Sequence, residues 1–164
     1  MKFFNKIAFF LAGCTLGMAH AWADVQVTDP WARATVPGQP ASGVFMQLKS
    51  DTDARLLAAE SQAAQNVEIH EMAMQNDVMR MRQIQDLALP AGETVTLAPG
   101  GYHIMLLGLA QQLKEGEHIS VTLVFEQDGK RETQTLSVPV RALTHGGHGS
   151  APAVQGHGHV HGAH

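Results

Sequence analysis

The sequence predicts an all-β fold, a sandwich or barrel of short strands, from three observations. Apolar and polar residues alternate in several short segments, which is the two-residue period of a strand with one buried face. Gly, Pro, Asn and Asp fall between these segments, as expected at tight turns. No segment has a sustained helical apolar period, and only residues 61–64 and 109–113 are candidates for a single helical turn.

The first half of the chain contains one predicted strand and one predicted hairpin. Residues 44–49 form the strand, because every second residue from Val44 is apolar. The segments 67–72 (VEIHEM) and 78–82 (VMRMR) alternate as well. The polar residues 75–77 (QND) lie between them, so the two segments are predicted to pair as a β-hairpin.

The second half of the chain continues this pattern. Residues 89–92 (LPAG) predict a turn before a strand at 94–97, and residues 102–106 (YHIML) predict the next strand. A strand at 119–125 leads to the Asp-Gly pair 128–129, which is a hairpin signal. The returning strand carries three apolar side chains on one face, Leu136, Val138 and Val140.

Two imidazoles and two thioethers occupy the predicted strand faces, at His70, Met81, His103 and Met105. Alternation places His103 and Met105 on one face of their strand, with apolar side chains on the other. The hairpin would place His70 across from Met81, to within about two residues. Thioether sulfur selects Cu(I), and imidazole suits copper in either common oxidation state. The sequence therefore predicts a copper site on an exposed rim of the sheet.

Each of these residues, taken singly, has a simpler interpretation. A lone methionine in a strand is usually core filler, and we assign that role to Met46. A lone histidine is more often a surface residue than a ligand. Five methionines nevertheless crowd these strands together with two histidines, and core packing gives no reason for imidazole there. Met72, Met74 and Met79 stay open as additional ligands, as a hydrophobic docking collar or as filler.

The spacing of the four residues resembles that of a known family. Ten residues separate His70 from Met81, twenty-one separate Met81 from His103, and Met105 completes a His-x-Met ending. This pattern is that of the periplasmic copper(I) chaperones with a cupredoxin-like fold. That family is associated with assembly of the binuclear copper site of cytochrome c oxidase.

The resemblance extends over about residues 24–140 and includes the segments 31–34 (WARA), 67–72 and 100–106 (GGYHIML). It implies a Greek-key, cupredoxin-like domain that binds Cu(I) through the four residues of the pattern. It also implies transfer of that copper to an acceptor such as the copper-bearing subunit of cytochrome c oxidase.

The beginning of the chain predicts export, with a signal peptide at residues 1–23 that is cleaved. Lys2 and Lys6 form a positive region, and residues 7–18 are an apolar segment too short to span a bilayer comfortably. The sequence AWA at 21–23 fits a cleavage site. The predicted location is therefore the periplasm.

An alternative processing route depends on Cys14. Residues 11–14 (LAGC) resemble a lipobox, which would leave the protein lipid-anchored through Cys14 and facing the periplasm. We favour cleavage after residue 23, or more weakly after residues 19–21 (AHA), because the residues following Cys14 stay apolar. Cys14 is the only cysteine, so this cleavage removes every thiolate ligand and every disulfide.

The mature chain predicts one exported domain at residues 24–143. Without Lys2 and Lys6 it has nine Lys and Arg against fifteen Asp and Glu, a formal charge of −6 that disfavours nucleic acid as a partner. We expect no stable membrane insertion after cleavage. The sequence shows neither a nucleophile with a base nor a phosphate-binding glycine loop, so we predict that the protein is not an enzyme.

Residues 144–164 change in composition to glycine, alanine and histidine, and they predict a disordered tail. The histidines are interleaved with other residues, unlike an uninterrupted affinity tag. Neutral imidazole binds Cu(II), Zn(II) and Ni(II), so the tail is predicted to be a weak auxiliary metal site, with Cu(II) as the favoured ion. Its six histidines are His145, His148, His157, His159, His161 and His164.

Two other functions remain open from the sequence. A periplasmic storage or detoxification protein would bind many copper ions per chain, whereas a chaperone would bind a single Cu(I). An interaction sandwich with incidental methionines would bind no Cu(I) tightly, and it would be indifferent to substitution of Met81 or His103.

Overall fold

The computed structural model describes residues 25–142 and contains ten β-strands with no helix in that range, which confirms the predicted all-β fold. The predicted signal peptide, Cys14 and the predicted tail at residues 144–164 lie outside the described residues. The strands are β1 (Gln26–Arg33), β2 (Ala41–Lys49), β3 (Ala54–Glu60), β4 (Ala64–Gln75), β5 (Val78–Ile84), β6 (Leu87–Leu89), β7 (Thr94–Leu97), β8 (His103–Leu109), β9 (His118–Gln127) and β10 (Lys130–Arg141).

The strands are hydrogen-bonded in the order β5-β4-β8-β2-β1-β10-β9-β3-β6, and β7 pairs with β2 beside that path. The pairings between these strands are antiparallel except for β1 with β10, which run parallel at Ala32↔Val140 and Arg33↔Arg141. This parallel pair joins the half of the sheet that contains β2, β4 and β8 to the half that contains β3 and β9.

The two halves fold over one apolar core. A single cluster of buried side chains includes Val44 and Ile104 from one half and Leu56, Leu123 and Phe125 from the other. Each of these five side chains is 5 % exposed or less, so the cluster is closed to water and holds the halves together as a sandwich. Within the described range, no helix is long and apolar enough to cross a bilayer.

Both predicted hairpins form, and their turn residues explain why. Asn76 and Asp77 have φ of 51° and 61°, and Asp128 and Gly129 have φ of 50° and 72°. Two consecutive residues with positive φ make the tight turn that matches the twist of paired strands, and Asn, Asp and Gly tolerate that conformation best. The β4–β5 hairpin therefore has a fixed register, with Gln75 opposite Val78.

The structure adds three strands that the local pattern did not predict, namely β1, β3 and β6. It also extends the predicted strand at 67–72 to the twelve residues of β4. Residues 61–64 lead through a turn into β4, and residues 109–113 contain the end of β8 and a bend, so neither forms a helical turn.

Candidate metal centre

The candidate site lies on one face of three neighbouring strands, β5, β4 and β8. His70 on β4 pairs with His103 on β8, and Met72 on β4 pairs with Met81 on β5. Directly paired residues share a face, and every second residue along a strand returns to it. Both histidines and Met81 therefore face the same side, and Met105, two residues beyond His103, faces that side as well.

The two imidazoles and the Met81 thioether are close in space. The ring centroids of His70 and His103 are 5.8 Å apart, with an interplanar angle of 52°. The Nε2 atom of His103 lies 3.1 Å from the sulfur of Met81. His70 pairs with Gln83, so it is one diagonal step from Met81, which agrees with the offset predicted for the hairpin.

Burial differs among the four residues. His70 is 9 % exposed and His103 is 6 % exposed, so both imidazoles are buried, and Met105 is half-buried. Met81 is 50 % exposed. The site was expected on an exposed rim of the sheet. That expectation is wrong for the two histidines, because neighbouring side chains cover them. Of the four residues, only Met81 is exposed as expected. A metal ion at this site would be reached from the Met81 side.

Each histidine has one nitrogen held by an oxygen. His103 donates from Nδ1 to the carbonyl oxygen of Gly101 at 2.9 Å, since a carbonyl can only accept. His70 donates from Nε2 to the carboxylate of Glu68 at 2.7 Å. These partners assign the tautomers, and they leave a lone pair on Nε2 of His103 and on Nδ1 of His70.

The two free lone pairs lack protein donors. Nδ1 of His70 is buried without a hydrogen-bond partner among the described residues. Nε2 of His103 faces the Met81 sulfur, which is itself an acceptor. Buried acceptors without donors are unfavourable in an empty site and favourable around a cation, particularly where the second imidazole nitrogen is hydrogen-bonded. The donor set therefore fits a metal ion that accepts both nitrogen and thioether sulfur.

The environment of His103 keeps its imidazole neutral. Burial lowers the pKa of His103 below the usual histidine value, and the electrostatic effect of the neighbouring His70 and Arg33 lowers it further. The hydrogen bond to Gly101 opposes this shift but does not outweigh burial. At neutral pH the Nε2 lone pair is consequently free of a proton and open to a metal ion.

An aromatic wall flanks His103 on the side of β2 and β1. The Phe45 ring lies 6.4 Å from the His103 ring and 4.5 Å from the Trp31 ring, between centroids. Phe45 also lies over Gly43, where an added Cβ would come within 2.7 Å of the ring. The guanidinium of Arg33 stacks 5.5 Å from the Phe45 centroid, and its buried Nε has no hydrogen-bond partner among the described residues.

Sequence reasoning missed several residues that organise this site. Glu68 lies two residues before His70, so strand alternation could have identified it as a partner on the same face. The Gly101 carbonyl and the Phe45 ring carry no comparable local signal. Met74 and Met79, by contrast, lie on the site face of the hairpin as predicted, and they are 66 % and 46 % exposed.

The described part of the chain contains no group of three or more His, Cys, Asp or Glu residues placed to hold a metal ion. A centre at His70 and His103 therefore depends on the thioethers for its remaining ligands. The fold and this cluster together define the class, a cupredoxin-like β-domain with two imidazoles and two thioethers gathered on one face of its sheet.

The chain belongs to the LpqE-like family, described as "Putative lipoprotein LpqE-like", whose profile matches residues 25–140. A relative in Leifsonia xyli subsp. xyli (strain CTCB07), "Putative lipoprotein Lxx21020", is 38 % identical over 118 residues, which cover 71 % of this chain and 69 % of that protein.

Several solved structures share the fold, including the following two. The copper-bound PCuAC domain from PmoF2 is 27 % identical, with a TM-score of 0.59, over 72 % of this chain and 92 % of that domain. The solution structure of CuI-DR1885 from Deinococcus radiodurans is 31 % identical, with a TM-score of 0.54, over 75 % of this chain and 83 % of that protein.

Proposed function

We propose that the protein is a copper chaperone that binds Cu(I) through His70, Met81, His103 and Met105 and transfers it to an acceptor protein. One observation carries this proposal: the free lone pairs of two buried imidazoles lie on the same face as two thioethers, with no protein donor to satisfy them. The similarity to PCuAC and DR1885 structures that hold copper supports the same ion for this chain.

The chemistry of the donors favours Cu(I) over harder cations. Thioether sulfur is a soft ligand, and Cu(I) is the soft ion among those that imidazole also accepts. All four donors are neutral, so the bound ion keeps its single positive charge. A blue-copper electron carrier would need a thiolate, and the described residues contain no cysteine.

The uneven burial of the four ligands suits transfer. The imidazoles are buried and hydrogen-bonded, so they hold their orientation, whereas Met81 is half exposed. An acceptor's ligand can displace the Met81 sulfur first and leave the imidazoles for later steps. Each step forms one bond from copper to a ligand of the acceptor and breaks one bond to a ligand of this chain, and such ligand exchange leaves copper as Cu(I).

The proposal also includes the acceptor protein and the cellular compartment. The family resemblance favours the copper-bearing subunit of cytochrome c oxidase as the acceptor, reached from the periplasmic side of the membrane. The names of the family and of the Leifsonia relative favour lipid anchoring through Cys14 over cleavage after residue 23. The mass of the mature protein distinguishes the two processing routes, because only lipid anchoring through Cys14 retains residues 14–23 and adds the mass of the lipid.

Anaerobic Cu(I) titration against the chelator bathocuproine disulfonate, with X-ray absorption on the loaded protein, tests the copper site. We expect a first shell with both sulfur and imidazole nitrogen. Met81→Leu should lower the sulfur content, and His103→Ala should weaken Cu(I) binding at least about tenfold, because a metal site loses an organised ligand.

Two variants serve as matched controls for this test. Met46→Leu removes a thioether from the core, and His118→Gln removes an exposed imidazole on β9. Neither should change Cu(I) affinity. A shell of nitrogen and oxygen alone, or equal affinity in His103→Ala and His118→Gln, would contradict the proposal and favour an interaction domain. Many ions bound per chain would instead favour storage or detoxification.

A further inference from the structure

Four methionines lie on one face of the β4–β5 hairpin, and we call this face the methionine ribbon. Met72 pairs directly with Met81, and Met74 pairs directly with Met79. Side chains paired in this way have Cβ atoms about 5 Å apart, and diagonal neighbours are about 7–8 Å apart. Flexible thioether side chains at these separations can bring their sulfur atoms around one ion.

The outer part of the ribbon extends beyond the sheet. The pairing of β4 with β8 ends at His70↔His103, and one further backbone contact joins Met72 N–H to the Gly101 carbonyl at 3.3 Å. Residues 73–80 continue as two paired strands that close at the Asn76 turn. Sulfur atoms on this segment are therefore reached from solvent before the buried imidazoles are.

Burial gives no reason for methionine at these positions. Met74 is 66 % exposed and Met79 is 46 % exposed, and both are outside the apolar core, which contains Met46. Exposed strand positions usually favour β-branched or aromatic residues over unbranched side chains. The opposite face of the hairpin is mostly polar, and Glu71 pairs there with Arg82 across the strands. The property that sets the ribbon apart is thus its sulfur.

We propose that Met72, Met74 and Met79 form a second Cu(I) site, made only of thioethers, one step along the ribbon from Met81. The inference rests on the proposed function, because it takes the same ion as cargo. Soft sulfur ligands without imidazole select Cu(I) and give no site for Cu(II) or Zn(II).

The second site is weaker than the first. It has no imidazole, its ligands are exposed, and loading it restricts flexible side chains that are free in the empty protein. An ion that moves from this site to the buried one forms a bond to Met81 or an imidazole nitrogen and breaks one to a ribbon sulfur. Copper stays Cu(I), and no proton is exchanged with the thioethers.

Sequential anaerobic loading of the full-length chain with Cu(I) tests the second site. Copper K-edge absorption is measured after one and after two equivalents, for the native chain and for the double variant Met74→Leu/Met79→Leu. In the native chain, the second equivalent should add a sulfur shell. In the double variant, that sulfur should be absent while affinity for the first equivalent is unchanged. Leucine keeps the apolar area and nearly the volume of methionine, so the variants remove sulfur alone.

A matched control variant, together with the ligands found for the first equivalent of Cu(I), distinguishes failure of the second site from failure of the first. Val78→Ala changes an exposed apolar residue of the same turn without touching sulfur, and it should bind copper as the native chain does. A second equivalent with only nitrogen ligands, or sulfur retained in the double variant, would overturn the thioether site and leave the first site intact. A first equivalent without sulfur would instead contradict the proposed function itself.

Discussion

The two histidines of the candidate centre are each oriented by one oxygen, and these oxygens differ in kind. Glu68 is a side chain that a substitution can remove, whereas the Gly101 oxygen belongs to the backbone and survives any substitution. An acceptor behind an imidazole holds the ring in place and raises the electron density on the opposite nitrogen. Removing Glu68 should therefore affect His70 without touching His103.

The change Glu68→Ala should weaken Cu(I) binding about 10–100-fold, the usual effect of losing a hydrogen-bond partner behind a metal-binding histidine. Competition with a Cu(I) chelator under anaerobic conditions measures it. Glu71→Ala is the matched control, because Glu71 points to the other face and pairs with Arg82. Equal affinities for the two variants would show that Glu68 does not support the site.

Cu(I) affinity should be nearly constant from pH 8 to about 6.5, the ordinary histidine pKa, and should fall below it. Protons compete with copper for the imidazole lone pair, whereas thioethers do not take up protons in this range. Burial lowers the pKa of His103, so protonation of this ligand begins only at a lower pH than for a free histidine. Chelator competition between pH 8 and pH 5 measures the curve. A flat curve to pH 5 would contradict histidine ligation.

Alternation along the sequence was enough to predict that His103 and Met105 share a face of their strand and that His70 lies near Met81 on the hairpin. The reason is physical: strand alternation and a two-residue turn determine the face and offset of every residue in a hairpin. The depth of the site was not predictable in this way. Part of the cover comes from the Phe45 ring, which lies beside His103 only because β2 pairs with β8.

The strands differ in how strongly their local sequences predict them. The strand β3, with the sequence ARLLAAE, is rich in Ala and Leu, which favour helix in isolation. Its extended form comes from the packing of buried Leu56 opposite Phe125 on β9, so tertiary contact overrides local preference. β1 was missed for another reason. Its pairing with β2 shifts between Thr28 and Trp31, around Asp29 with φ of 48°, which interrupts the alternation.

Gly43 on β2 is required because a side chain there would collide with the Phe45 ring, and not because its backbone adopts an unusual conformation. A Cβ at this position would lie 2.7 Å from the Phe45 ring, so Gly43→Ala must displace the ring that flanks His103. We expect a loss of roughly 1–3 kcal/mol in unfolding free energy, as for other overpacked sites, together with weaker Cu(I) binding. Urea unfolding and chelator competition measure the two effects.

Gly101→Ala is the control for this substitution. Gly101 is also next to the site, but its added Cβ would meet only the Ala98 carbonyl at 3.6 Å, an ordinary contact. The carbonyl of residue 101 would still accept the hydrogen bond from His103. If Gly101→Ala and Gly43→Ala lowered stability equally, loss of a glycine rather than displacement of Phe45 would be the cause.

The order of strands in the sheet depends on pairs that are far apart in the sequence. The parallel pairing of β1 with β10 joins the two ends of the described chain and unites the halves of the sandwich. The site depends on a similar long-range pair, His70 with His103. Hairpins could be predicted because turn residues are local, whereas these pairings follow from closing one apolar core.

The same closure supports a prediction for the histidine-rich residues 144–164. The apolar core and all ten described strands end by Arg141, so a chain truncated after residue 143 keeps every described contact of the sandwich and of the candidate Cu(I) centre. Truncation should therefore abolish Cu(II) binding, measured by electron paramagnetic resonance, and leave Cu(I) affinity unchanged. We expect the two ions to bind at different places, because histidine nitrogen accepts Cu(II) while the thioethers of the candidate centre favour Cu(I).

A full-length variant with serine at the six tail histidines distinguishes ligand loss from chain loss. It should match the truncated protein, because neutral imidazole, rather than the length of the segment, provides the Cu(II) ligands. Loss of both Cu(II) and Cu(I) binding on truncation would mean that the two metal functions are not separate. Cu(II) retained by the serine variant would place its ligands within the β-domain, where His70 and His103 are the paired imidazoles available.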